Sequence, residues 1–366
     1  MEKICHITLS QPAFNTRILL KECFTLKSTY SIVILAGNTE NKTINGIEII
    51  GFKWKNKPSL RMFWTLWRLA IKHKSALYHI HEAALLPLAW LLKFSGKKII
   101  YDVNEIPTHL IPSITQASPR HSKANYLNHW AAKNTALLLS QRSYISLYQG
   151  VSKNMCVVEN YADLELMSPY QVIDRSACNG MVYIGQVSSK KGVLVMLEVL
   201  NNLICRGHQI SLAVIGEMVE PGLKQKIASL PFYGKIKKHL QFHNQLELTE
   251  SYKIAKAGFV GLCLTDELIE TQEIYPTNIF EYMSVGLPVV ASNISIYRAV
   301  IERRECGIVA PFSDIDAISD SIEKIYQDKE LQKLFSANGP KAVSLNYNWA
   351  HEKNILLDFY RNNLRS

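Results

Sequence analysis

Glu273-Ile274-Tyr275-Pro276-Thr277-Asn278-Ile279-Phe280-Glu281-Tyr282-Met283-Ser284-Val285-Gly286-Leu287-Pro288-Val289-Val290-Ala291-Ser292 is the stretch that decides how this 366-residue chain folds. A loop closes at Pro276, a helix opens at Thr277 and stops at Gly286, and an apolar strand, Pro288–Ser292, follows at once. Proline beside the first turn and glycine just past the last fit the two ends of a helix. The start of such a helix offers backbone amides and a partial positive charge, which suit a diphosphate. Glu273 and Glu281 bracket that turn. Each carboxylate can accept hydroxyl hydrogen bonds, one suited to a ribose and the other to a hexose.

Outward from this element, strand-length apolar runs alternate with helix-length periodic segments. That alternation predicts a mostly parallel sheet with crossover helices. Lys3–Leu9, Ser31–Ala36, Leu77–His81 and Lys98–Val103 read as strands in the first half. Met181–Ile184, Ile210–Ile215, Leu240–His243, Gly258–Leu264, Pro288–Ser292 and Gly307–Val309 do so in the second. The pattern restarts near residue 180, and the polar stretch Ser168–Gly180 reads as a linker. The expected architecture is α/β: two Rossmann-like, doubly wound domains, 1–168 and 169–345, facing each other across a cleft. A helical segment, 346–366, is expected to pack back on the first domain.

Three further strings lie where strands end, the edge at which open α/β sheets bind ligands. Tyr183-Ile184-Gly185-Gln186-Val187-Ser188-Ser189-Lys190-Lys191-Gly192 reads as a strand, a short polar loop and a helix start. Ile215-Gly216-Glu217 closes the next strand with a tight turn. In the first half, Tyr78-His79-Ile80-His81-Glu82 and Tyr101-Asp102-Val103-Asn104-Glu105 are two such ends. His81 reads equally as a satisfied buried histidine or as a ligand contact. Asp314-Ile315-Asp316 has the look of a metal-binding pair, but it opens a helix, where a capping role explains both carboxylates.

The Glu273–Ser292 string resembles glycosyltransferase family 4, whose fold is GT-B; the loop at Lys191 and the two first-half strand ends are similar to the same family. The resemblance implies a retaining, metal-independent glycosyltransferase. It would move a sugar from a nucleoside diphosphate sugar, UDP- or GDP-linked, to a glycan or lipid-linked acceptor in bacterial surface polysaccharide synthesis. The donor is then a substrate, and no cofactor or metal is implied. By the same resemblance Glu281 holds the ribose, Glu273 meets the donor sugar, and Lys191 grips the diphosphate. Gly185, Gln186, Gly216, Pro276, Thr277 and Asn278 line the nucleotide. Gln186 stands where the family carries Arg, Asn278 where many relatives carry Lys, and Asn104 where a bacterial branch has a cleft-facing His. Gln11 and Asn15 stand where relatives often have His and Asp. Asparagine donates a hydrogen bond but shuttles no proton near neutral pH. The departures at Gln186 and Asn104 keep a second reading open, a family member that binds nucleotide sugar or glycan without turnover. A sugar-nucleotide epimerase of the same fold is disfavoured by the Glu-x7-Glu spacing, and a dehydrogenase by the lack of GxGxxG after the first strand.

Charge adds a partner. The chain carries a net +10, and residues 1–100 hold all of it, with 15 basic and 5 acidic side chains. Within them, Lys53–Lys74 combines Lys and Arg with Trp54, Trp64 and Trp67. One reading is a core-facing helix with a solvated basic face; the other is contact with an anionic membrane surface, which Trp and Lys/Arg favour. No nucleic-acid motif accompanies the charge. Seven widely spaced cysteines without a CxxC argue against a disulfide framework and a zinc site. The start reads as a strand and the longest apolar run is too short to span a bilayer. The expectation is a cytoplasmic protein, peripheral at the inner membrane face.

Overall fold

The computed structural model describes residues 1–9, 15–55, 59–104, 123–266 and 274–365. The chain divides into two compact units, Met1–Asn160 with Trp349–Ser366, and Tyr161–Asn348.

The first unit is built on β1 (Lys3–Thr8), β2 (Ser31–Gly37), β3 (Lys42–Ile44), β4 (Ile47–Phe52), β5 (Leu77–Ile80), β6 (Lys98–Val103), β7 (Ala136–Leu139) and β8 (Met155–Val157). They form an eight-stranded sheet in the order β3-β4-β2-β1-β5-β6-β7-β8. All neighbours run parallel except β3 and β4. Central strands such as Ile32–Ala36 are apolar throughout and buried, as parallel strands covered on both faces must be. The β3–β4 hairpin turns at Asn45 and Gly46, with φ of 47° and 82°. Asn-Gly between alternating residues is the sequence signal for that turn. A basic-faced helix, Leu60–Lys72, is capped by Ser59, whose side chain accepts from the Met62 amide; it buries Phe63, Leu66 and Ala70. The helix Trp349–Arg365 buries Trp349, Leu356 and Tyr360 in the same core as Ile34 and Leu138.

The second unit is built on β9 (Gly180–Ile184), β10 (Ser211–Ile215), β11 (Leu240–His243), β12 (Gly258–Cys263), β13 (Val289–Ser292) and β14 (Gly307–Ala310). The order is β11-β10-β9-β12-β13-β14, all parallel. Relabelled within the unit this is 3-2-1-4-5-6, so the order reverses between β9 and β12. Apolar layers fill both faces of the sheet, one including Leu197, Val214 and Ile322, the other Tyr252, Phe280 and Met283.

Ser168–Gly180 is not a linker. Arg175 is fully buried and donates to the carbonyls of Gly286, Val285, Ala255 and Gly258, so this polar stretch closes the second unit's core. Tyr161–Met167 also belongs to this unit: Ala162 bridges Asn348, and Tyr161 packs on Phe280 and Tyr347.

Candidate functional site

The switch point of the second sheet lies at the C-terminal end of β9. Ile184 of β9 pairs with Ile215 of β10, so Gly185 and Gly216 leave the sheet side by side. The Gly185 amide donates to the Ile215 carbonyl at 3.0 Å, and the Gly216 amide to that of His243 at 3.1 Å. At Gly216, φ is 152° and a Cβ would sit 1.8 Å from the Gly185 carbonyl oxygen, so only glycine fits. The loop that follows is stitched to the next one. The Val187 amide donates to the Glu217 carbonyl at 2.8 Å. Glu220 accepts from the Ser189 amide at 2.7 Å and from its hydroxyl at 3.0 Å, which holds the Glu220 carboxyl below its ordinary range. Gly192 then opens the helix Val193–Cys205 with φ of 73°, its backbone against the Leu264 carbonyl. Lys191 and the exposed Gln186 and Lys190 are thereby presented on a loop anchored at both ends.

The helix Thr277–Ser284 starts as the motif predicts, with Pro276 in the capping place and Gly286 past the end at φ of 66°. A helix start of this kind is an arrangement that receives anions, and here the Ile279 amide donates to the Pro276 carbonyl at 3.2 Å. Asn278 ties this helix start to the sheet: its Nδ2 donates to the Ile184 carbonyl at 3.2 Å, and its Oδ1 accepts from the Cys263 thiol at 3.5 Å. That side chain is committed to two strand ends. One turn on, Glu281 is buried and accepts a hydrogen bond from the Tyr252 hydroxyl at 3.1 Å. Burial, and then the Glu281 charge, push the Tyr252 phenol well up, so it stays a donor. Tyr282, the next residue along the helix, accepts from the Ile184 amide through its hydroxyl oxygen at 2.8 Å.

Gly185, Gln186, Lys191, Gly216, Pro276, Thr277, Asn278 and Glu281 are thus gathered around one sheet edge of one unit. Glu273 and Gln11 lie outside the described residues. Asn104 belongs to the first unit, directly after β6, and its carbonyl accepts from the Ser140 hydroxyl at 2.9 Å. Asn15 caps the π-helical segment Thr16–Cys23, accepting from the Ile18 amide at 3.0 Å. Asp314 does what its position suggests: it caps the helix Ile315–Gln327 through the Ala317 amide, at 2.9 Å. The sequence reading missed Tyr252, Tyr282, Ser189 and Glu220. Tyr282 stands inside the quoted motif and could have been found there; a lone Glu in a polar loop gives no signal.

A 3-2-1-4-5-6 sheet with glycine turns and a helix start at its switch point is the doubly wound α/β arrangement. Residues 178–342 match the family model Glycosyl transferases group 1, and the chain has the GT-B fold of two Rossmann-like domains. Sucrose-phosphate synthase from Thermosynechococcus elongatus aligns with a TM-score of 0.76 at 15% identity, covering 99% of each chain. Anabaena HepE in complex with UDP-glucose aligns at 0.73 and 14% identity, over 99% of this chain and 100% of that one. Phosphatidyl-myo-inositol mannosyltransferase of Mycolicibacterium smegmatis is 23% identical over 194 residues, 53% of this chain and 46% of the relative. Alpha-D-kanosaminyltransferase of Streptomyces kanamyceticus is 23% identical over 201 residues, 54% and 48% respectively. The chain therefore spans about half the length of the curated relatives it matches.

Proposed function

We propose that the chain is a retaining, metal-independent hexosyltransferase acting on a nucleoside diphosphate sugar, UDP- or GDP-linked. The observation that carries this is the meeting of the Gly185–Gly216 turn pair, the Thr277 helix start and the buried Glu281 at one sheet edge. Glu281, oriented by Tyr252, accepts the ribose hydroxyls. Lys191 and the amides at Thr277 stabilise the negative charge that grows on the departing diphosphate. Such preorganised electrostatics is usually the largest catalytic contribution where charge develops on a leaving group. Glu273 binds the sugar hydroxyls, and Asn104 serves as a hydrogen-bond donor in the reaction. HepE binds UDP-glucose, and the mycobacterial relative's name places a mannosyl group on a phosphatidyl-inositol; both fit this donor and acceptor class.

The acceptor is a glycan or lipid-linked precursor of a surface polysaccharide, met at an anionic membrane face. No described helix is long and apolar enough to cross a membrane. In the first unit Lys53, Lys55, Arg61, Arg68, Lys72 and Lys74 are exposed. Beside them Trp64 is 51% exposed, Trp90 44% and Phe94 84%. An open groove of about 450 Å³, lined by Leu60, Phe63, Trp64, Trp90 and Leu91 among others, runs between the helices Leu60–Lys72 and Leu86–Phe94. Aromatic rings amid cations are the composition of a membrane-surface contact.

The test is incubation with a panel of UDP- and GDP-sugars, followed by anomeric analysis of the product with and without EDTA. Transfer or slow donor hydrolysis with retained configuration and no effect of EDTA supports the reading. Inversion or EDTA-sensitive turnover overturns the retaining, metal-independent mechanism. Tight nucleotide-sugar binding without turnover on any acceptor favours the weakened-member reading, which rests on Gln186 and Asn104.

A further inference from the structure

We propose that His6, Glu22, His79 and His81 form a site for one divalent transition-metal ion of the zinc class, buried inside the first unit. Each offers one ligand atom, and these four atoms lie within 4.8 Å of one another. His6, Glu22 and His79 are 0% exposed and His81 5%.

The fold assembles this set from distant parts of the sequence. His6 of β1 pairs directly with His79 of β5 across the parallel ladder. His81 follows two residues on, and side chains two apart along a strand share a face. Three imidazoles therefore crowd one side of the sheet, with ring centroids 4.2 to 5.2 Å apart. The segment Thr16–Cys23 carries Glu22 to the same place.

His6 Nδ1 and His81 Nε2 lie 2.9 Å apart, but other polar atoms there lack a hydrogen bond. Nε2 of His6, Nε2 of His79 and both oxygens of Glu22 are buried without a hydrogen bond. Glu22 has two ion-pair contacts, Oε1 with Arg17 Nε at 2.9 Å and Oε2 with His79 Nδ1 at 3.7 Å. Buried polar atoms in folded proteins are nearly always hydrogen-bonded, so two unpaired imidazole nitrogens beside a carboxylate held only by ion pairs call for a ligand.

Other histidine nitrogens already have the outer partners that metal sites use. His81 Nδ1 lies 3.2 Å from Asp102 Oδ2, and Arg17 donates to both Asp102 oxygens at 3.2 and 3.3 Å. His79 Nδ1 lies 2.5 Å from the Tyr360 hydroxyl. A carboxylate or hydroxyl behind a ligating histidine fixes its ring and tautomer. Three nitrogens and one carboxylate oxygen suit tetrahedral zinc. Its ligand atoms stand about 3.3 Å apart, so the cluster closes onto an ion with shifts of roughly an ångström. With all four positions supplied by protein the site is structural. It ties β1, β5 and the Thr16–Cys23 segment together and, through Tyr360, holds the C-terminal helix. It takes no part in sugar transfer, so its test is separate from that reading.

Untagged full-length protein, expressed with zinc and desalted, is expected to retain about one zinc per chain by elemental analysis. Unfolding in a strong chelator and refolding without metal should lower the thermal midpoint by roughly 10 °C, and refolding with zinc should restore it. Cobalt-loaded protein should show the intense visible bands of a tetrahedral site. His6→Gln and His79→Gln should lose the ion, while His208→Gln and His351→Gln keep it. Should the first pair fail to fold, stoichiometry and the cobalt spectrum of the wild type decide. Less than about 0.1 zinc per chain after refolding with excess zinc, with an unmoved midpoint, overturns the proposal. The cluster is then a metal-free network in which Arg17 and a protonated His81 balance Asp102 and Glu22.

Discussion

The Tyr252 hydroxyl donates to Oε2 of Glu281 at 3.1 Å, with both side chains buried. The carboxylate is therefore aimed before any nucleotide arrives, and removing either group should be felt in donor use. Glu281→Ala should lower kcat/KM for the donor by about 10²–10³, the loss of one or two charged hydrogen bonds. Tyr252→Phe, which leaves the carboxylate but frees its orientation, should cost about tenfold or less. Steady-state transfer or donor hydrolysis measures both. Wild-type turnover by Glu281→Ala removes this residue from the site.

Lys191 and Gln186 flank a loop anchored by Gly185 and Gly192. Lys191→Ala should weaken nucleoside diphosphate binding by about tenfold to a hundredfold, as expected of a charge-assisted contact. Gln186→Arg should tighten it by about tenfold by adding a second cation near the diphosphate. Isothermal titration with UDP and GDP checks both and names the nucleotide. No change with either nucleotide in both variants places the diphosphate elsewhere.

Gly216→Ala puts a methyl group 1.8 Å from a backbone oxygen at a φ that side chains avoid. Backbone must move, and the loops after β9 and β10 move with it. The thermal midpoint should fall by several degrees and donor affinity should fall with it. Calorimetry and titration on the same sample test this; an unchanged midpoint shows that the two loops can separate without cost.

Glu352 is buried and accepts from the Glu159 amide at 2.9 Å. Burial holds its carboxyl above the ordinary range, against the pull of that amide. The unfolded chain then ionises first, so Glu352 makes stability fall as pH rises from the ordinary carboxylate pKa to the raised one. Glu352→Gln keeps the acceptor and removes the titration. Its midpoint relative to wild type should be near zero at about pH 4 and rise toward about pH 8. A difference that is flat with pH refutes the assignment.

Binding to vesicles tests the basic, aromatic face of the first unit. Wild-type protein should bind anionic vesicles in a salt-sensitive way, and Trp64→Ala with Trp90→Ala, or Arg61→Glu with Arg68→Glu, should weaken binding at least tenfold. Equal binding to neutral vesicles removes the membrane reading.

Most of the strands that were legible in the sequence are interior ones, because parallel strands covered on both faces read as apolar runs, though the edge strands β11 and β14 were legible too. β7, Ala136–Leu139, as long as β5 and equally apolar, was missed together with β4, Ile47–Phe52, and the three-residue β3 and β8 carry almost no pattern. The Thr277 helix start was legible because proline and glycine punctuate both its ends. Arg175 was not: its polar surroundings looked like a linker, and nothing local says that four carbonyls from elsewhere in the chain converge on it. The same holds for the histidine cluster. His79 and His81 are visible as a pair, but His6 and Glu22 reach them only through strand pairing and a helical turn, which no spacing rule encodes.

Trp349, Leu356 and Tyr360 sit in the core of the unit that begins at Met1, and the Trp349 indole donates to the Thr25 hydroxyl at 3.1 Å. A ribosome makes that unit's sheet first and delivers its last helix only after all of Tyr161–Asn348 has emerged. The half that is born first is therefore completed last, with an uncovered apolar flank during much of translation. A nascent chain arrested just short of Trp349 should resist proteases in its second half while the first half remains digestible.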